Sequence, residues 1–149
     1  MTSKERVLAR ERERGRADAK SVQTNADSMT GTELNAAGDR IPRFAAAVQK
    51  ENMLKRPIGF VCKSSAGRVV RLLQHYDSTV FTQEPEELPA QWGFVWSDDP
   101  AHALPFAAIS TSPYMTGNCC EDEEKVWRSL IDNNVWKPSE YPAGWEVAG

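Results

Sequence analysis

The chain repeats itself, and that repeat constrains its fold more than any other feature. Cys62-Lys-Ser-Ser-Ala-Gly-Arg-Val69-Val70-Arg71 matches Cys119-Cys-Glu-Asp-Glu-Glu-Lys-Val126-Trp127-Arg128, where 119 − 62 and 126 − 69 both give 57. The match resumes at Val80-Phe81 against Val135-Trp136. It closes at Pro89-Ala90-Gln91-Trp92 against Pro142-Ala143-Gly144-Trp145, where 145 − 92 gives 53. The four missing residues fall around His75-Tyr76 and around Gln83-Glu84. Gaps confined to the spaces between apolar pairs mark a repeat of structure, because loops vary in length while packing positions cannot. A unit of about 50 residues buries a limited share of its surface, so the copies are expected to pack on each other or on a partner. Two copies of a small aromatic-bearing unit point to binding or assembly rather than to an enzyme built around one cleft.

With 149 residues, 40% hydrophobic and 26% charged, the chain reads as a soluble globular protein of one domain or two very small ones. No apolar run approaches the roughly 20 residues that span a bilayer. Met1-Thr-Ser-Lys-Glu-Arg is charged with no apolar stretch behind it, and is not read as a secretory signal. The net charge of −3 is unevenly placed. Residues 1–20 carry seven Lys/Arg and four acids, a surplus of +3, which leaves −6 for the rest. The acids interleaved in this basic arm would repel a phosphate backbone, so the arm reads as a solvated helix laced with Glu–Arg pairs, and nucleic acid is not expected as a partner. Cys119 and Cys120 are neighbours, with Cα atoms about 3.8 Å apart, closer than a relaxed disulfide prefers. All three cysteines read as reduced thiols, with Cys62 and Cys119 at matching, buried repeat positions.

Residues 1–28 are expected as a basic helical arm and 21–40 as linker rich in turn formers. Residues 29–56 comprise linker and a short helix. That helix is expected to start near Ile41-Pro42, to bury Ile41, Phe44, Ala45 and Val48 on one face, and to end at Arg56-Pro57. From Ile58 the pattern changes to short β-rich runs: Ile58–Cys62, Arg68–Leu73, Thr79–Phe81, Gly93–Trp96, Lys125–Ile131, Val135-Trp136 and Trp145–Val147. Ser64–Gly67 and Glu121–Glu124 are candidate hairpin turns, and Ala103–Ile109 an extended connector. The fold expected is mainly β with N-terminal helices (α+β): two tandem small antiparallel β modules, 57–97 and 98–149, after a helical arm.

The second copy carries a resemblance. Trp127-Arg-Ser-Leu-Ile-Asp-Asn-Asn-Val-Trp-Lys-Pro-Ser-Glu-Tyr-Pro-Ala-Gly-Trp-Glu-Val147 resembles the chitin-binding-type carbohydrate-binding modules of bacterial chitinases and their relatives in phage and prophage tail proteins. The stretch Met29–Val147 as a whole resembles small prophage proteins of Gram-positive bacteria. The resemblance implies a virion protein of the tail region, made in the bacterial host cytoplasm and oligomeric in the particle. Its partners would be other tail proteins or a cell-wall glycan. One departure matters: where those modules stack sugar on two adjacent exposed aromatics, this chain has Leu130-Ile131-Asp132, and the first copy has Gln74-His75-Tyr76.

Sugars present C–H faces and hydroxyls, so a site for them needs rigid flat rings with amide or carboxylate groups at the rim. The second copy offers Trp136, Tyr141 and Trp145 with Asp132, Asn133 and Asn134. The first offers Tyr76 with His75, alongside Trp92, Trp96, Asp77 and Gln83. Trp92, Trp127 and Trp145, at repeated positions, read as packing, and Trp136, Tyr141 and Tyr76 as the exposed rings. No activated nucleophile or Cys-x₂₋₄-Cys spacing is present, so catalytic residues, metal and cofactor are all expected to be absent. Two roles stay open: glycan binding, or an adapter fixing other tail components. A phage-encoded protein-interaction adapter acting in the host cytoplasm is the alternative.

Overall fold

The computed structural model describes residues 20–149. The arm expected over 1–28 lies outside the described residues as far as position 19. Residues 20–149 form a small α+β protein with one sheet of three strands, one of four, and short helices.

The stretch 21–40 is a folded layer and not a linker. Residues 20–25 are helical, Ala26–Ser28 form a 3-10 turn, and α1 (Gly31–Ala36) is followed by a second 3-10 turn at Gly38–Arg40. A capping box starts α1. Glu33 N donates to Thr30 Oγ1 at 3.1 Å while Thr30 N donates to Glu33 Oε1 at 3.3 Å, which satisfies two helix-end donors reciprocally. Val22, Ala26, Leu34, Ala37 and Ile41 then bury one face of the first sheet at Val61 and Val69. Burial of that stripe outweighs the turn-forming composition. Gly31 lets the layer approach closely, since a Cβ there would stand 2.2 Å from the Trp96 carbonyl oxygen.

Helix α2 (Phe44–Lys50) is shorter than expected at both ends. Ile41 joins the layer just described, and Pro42-Arg43 is extended, because the Pro42 carbonyl accepts from Lys63 N at 2.9 Å and Arg43 bridges Lys63 in parallel. Phe44 and Ala47 are the buried residues of α2, whereas Ala45 is exposed.

The first sheet has strands β1 (Val61–Lys63), β2 (Val69–Leu72) and β3 (Trp92–Phe94) in antiparallel order. The second has β4 (Leu104–Pro105), β5 (Cys119–Asp122), β6 (Lys125–Ser129) and β7 (Trp145–Val147). Here β4 runs parallel to β5, so the expected connector is partly a strand and the sheet is mixed. Thr79–Phe81, expected as a strand, lies in a turn, and Val135-Trp136 lies in a loop. Neither has a neighbouring strand to pair with.

The strands repeat in register. Leu72 pairs with Trp92 and Ser129 with Trp145, as the offsets 57 and 53 require. Leu73 N donates to Gln91 O at 2.7 Å, and Leu130 N to Gly144 O at 2.8 Å. The ring of Phe44 meets Trp92 edge-on at 5.8 Å and 82°, and Phe106 meets Trp145 at 6.2 Å and 83°. The parallel approach of Arg43 to Lys63 likewise has its counterpart in Pro105 and Glu121. One detail of the sequence match is corrected. Cys62 pairs with Val70 and Cys120 with Trp127, so Cys120 and not Cys119 is the counterpart of Cys62. The hairpin turn of the second sheet is one residue shorter, which shifts the strand before it by one place.

The sheets share one core. Phe44, Cys62, Val70, Leu72 and Trp92 belong to the same cluster as Tyr114, Cys120 and Trp145. Stacked rings join them: Phe94 to Trp96 at 5.8 Å, Trp96 to Tyr114 at 4.3 Å, and Tyr114 to Phe106 at 5.3 Å. Half a chain of this size lacks the interior to stand alone, and this stack supplies the missing contact.

Candidate ligand-binding surface

The loop from Leu130 to Gly144 presents the rings of interest. Trp136 is 48% exposed and Tyr141 41%, and their ring centroids lie 5.6 Å apart at 50°. They form a tilted pair rather than a flat platform. The backbone beneath them is fixed at several points. Trp145 Nε1 donates to the Trp136 carbonyl at 2.8 Å, and Trp136 N donates to Asn134 Oδ1 at 3.3 Å. Tyr141 N donates to Lys137 O at 3.0 Å, and Pro138 is fully buried. The Tyr141 ring lies over Gly144, where a Cβ would stand 2.6 Å from its Cδ1.

The other expected residues separate by role. Trp145 is buried, as its repeat position implies, and anchors the loop from below. Asn134 is wholly buried: its amide donates to Ser129 Oγ at 3.0 Å and to Gly144 O at 3.2 Å. Neither can touch a ligand from solvent. Asn133 and Asp132 are both exposed. Asn133 occupies the left-handed backbone region at φ 56°. Asp132 Oδ1 accepts from Thr116 N at 3.0 Å, and this backbone donor holds its carboxyl below the ordinary range.

Tyr76, expected as an exposed ring, is buried. Its hydroxyl accepts from Trp92 Nε1 at 3.0 Å, and its ring meets Trp92 edge-on at 6.2 Å. A fully buried indole N–H needs an acceptor, and in the second sheet the equivalent Trp145 uses a carbonyl instead. His75 is exposed, with Nε2 at 2.8 Å from Arg56 O. Thus Trp136 and Tyr141 are brought together, while Tyr76 and His75 belong to the other sheet and form no site with them.

A cleft of about 640 Å³ adjoins this loop, between Phe106, the hairpin acids Glu121 to Glu124, and Lys137. Ser139 N donates to Asp122 Oδ2 at 3.1 Å, tying the ring-bearing loop to that hairpin. Lys137 itself pairs with Glu140 at 3.6 Å. Carboxylates and an ammonium beside fixed rings can exchange hydrogen bonds with a hydroxyl-rich ligand. Sequence reasoning misses Phe106 and these acids as rim groups; the Phe-Ala-Ala run shared by positions 44–46 and 106–108 is the available signal for Phe106.

The three thiols are buried and protonated. Burial pushes Cys120 up to about 12, and raises Cys62 and Cys119 as well. Among the described residues, no three His, Cys, Asp or Glu side chains group to hold a metal ion. No helix of the described residues is long and apolar enough to cross a membrane. No protein-family model, curated protein or solved structure matches this chain.

Proposed function

We propose that this protein is a non-catalytic binding protein of a phage or prophage tail region, built from two tandem copies of one small β module that share a core, and that it holds host-envelope glycan. The observation that carries the reading is the Trp136–Tyr141 pair, two exposed rings whose backbone is fixed on both sides. Rings already held in place lose little conformational freedom on binding. Apolar ring faces beside polar rim groups match the alternating C–H and hydroxyl surfaces of a sugar. The resemblance of residues 127–147 to carbohydrate-binding modules supports the same ligand class, and its phage relatives support the tail-region setting.

The experiment is retention of the purified protein on Gram-positive cell walls (peptidoglycan with its attached polymers), comparing wild type with Trp136→Ala and Tyr141→Ala. Both side chains are half exposed, so circular dichroism should show both variants folded. Retention by wild type and its loss in the folded variants supports the glycan reading. No retention of wild type on any envelope fraction sinks it, leaving an adapter that fixes tail components or acts on a protein in the host cytoplasm.

A further inference from the structure

The chain contains five Trp, three Tyr and five Phe, and all lie within the described residues. Only Phe81, Trp136 and Tyr141 among them are exposed. The others are buried or half-buried, as expected where large rings supply a small core. All three exposed rings sit in one topological place, the loop joining the second and third strands of each three-strand meander. Phe81 lies between β2 and β3, and Trp136 and Tyr141 between β6 and β7.

The two loops are built alike. Each opens on a polar anchor tied to the segment before the three-strand meander. Asp77 Oδ1 accepts from Asn52 Nδ2 at 2.9 Å, and Asn134 bridges Tyr114 through backbone bonds of 2.8 and 3.0 Å. Each closes on a fully buried proline, Pro85 or Pro138, ahead of the paired tryptophans of β3 and β7. The same hairpin-to-loop contact recurs with its chemistry exchanged: Ser64 Oγ donates to Glu86 Oε1, and Ser139 N donates to Asp122 Oδ2. Between these anchors stands one exposed ring in each loop, Phe81 at 50% and Trp136 at 48%. The loops differ in the second ring, because Leu88, the counterpart of Tyr141 at an offset of 53, is turned partly into the core.

From this repetition we propose that the Val80–Phe81 loop is a second, weaker subsite of the same kind, which makes the chain bivalent for a polysaccharide with a repeating unit. The proposal rests on the glycan reading above and adds to it. A ligand that repeats can engage both loops, whereas a short fragment fills one at a time. A single phenyl ring offers less contact than the Trp136–Tyr141 pair, so Phe81 contributes through local concentration after the stronger loop has bound. Such linkage can raise overall affinity by about 10²–10⁴-fold without any new contact.

The test compares wild type, Phe81→Ala and Trp136→Ala on two probes. One is insoluble Gram-positive cell wall; the other is the soluble fragments left by exhaustive glycosidase digestion of the same wall. Phe81→Ala is expected to lower apparent affinity for intact wall by about tenfold or more while leaving fragment binding unchanged. Trp136→Ala is expected to lose both. Thermal melts of both variants close to wild type show that folding is intact. If Phe81→Ala holds intact wall as tightly as wild type while Trp136→Ala releases it, bivalency is overturned and the single-site reading stands. If wild type binds neither probe, both fall.

Discussion

Tyr76→Phe separates the core from the ligand surface. The substitution removes one oxygen atom and keeps the ring that meets Trp92 edge-on at 6.2 Å. What it deletes is the acceptor for Trp92 Nε1, now at 3.0 Å from the Tyr76 hydroxyl. Trp92 is wholly buried, so water cannot replace that acceptor. A buried donor left without a partner costs about 1–3 kcal/mol. At about 2–4 °C per kcal/mol for a chain of this size, a mid-range loss lowers Tm by ~4–8 °C. The assay is urea denaturation followed by tryptophan fluorescence, backed by a thermal melt. The midpoint should fall while the m-value stays constant, because the surface exposed on unfolding is unchanged. Retention on cell wall at low temperature should equal wild type. A stability change below about 0.5 kcal/mol would refute the buried hydrogen bond. Loss of wall retention in a folded Tyr76→Phe protein would return Tyr76 to the binding surface.

Backbone geometry and burial set two further outcomes. The two-residue turn between Asp122 and Lys125 holds Glu123 at φ 51° and Glu124 at φ 65°, a conformation that Asn-Gly adopts with less strain. The double substitution Glu123→Asn/Glu124→Gly should therefore raise stability by about 1–2 kcal/mol, and an unchanged or lower urea midpoint would contradict this. Raised thiol pKa values make stability depend on alkaline pH. Burial raises Cys62, Cys119 and Cys120 above 9.0, the last to about 12, so the folded state holds protons that the unfolded chain releases. The stabilisation is complete below about pH 9 and is lost as pH climbs toward the folded values. The urea midpoint should be lower at about pH 10.5 than at about pH 7.5, and thiol reagents should label the native protein far more slowly than the denatured one. Rapid labelling of the native protein would show the thiols to be accessible.

The repeat is legible in the sequence because its carriers are packing residues. The offsets 57 and 53 place Trp92 and Trp145 at equal positions, and both are buried against an edge-on phenylalanine. Even so, the repeat read from sequence begins too late. Phe-Ala-Ala at 44–46 and 106–108 lies outside the matched stretch, and the edge-on phenylalanines together with the parallel approaches of Arg43 to Lys63 and Pro105 to Glu121 show that it belongs. Local chemistry also carries a signal that composition hides: Thr30 and Glu33 stand at capping-box spacing inside residues whose turn formers read as linker.

Neighbouring residues in the chain carry the repeat, most of the strands, the buried thiols and the exposure of Trp136 and Tyr141, although Thr79–Phe81 and Val135-Trp136 form no strand. Long-range packing settles which other rings are hidden. Tyr76 and Trp136 both follow a second strand by a few residues, but Tyr76 turns inward because its hydroxyl meets a buried indole N–H, a partner supplied from 16 positions away. It also settles that one core joins the sheets, through the Trp96–Tyr114 stack at 4.3 Å. Local patterning reports whether a residue has an apolar face to bury. Which surface buries it depends on contacts distant in sequence, formed only when the whole chain closes.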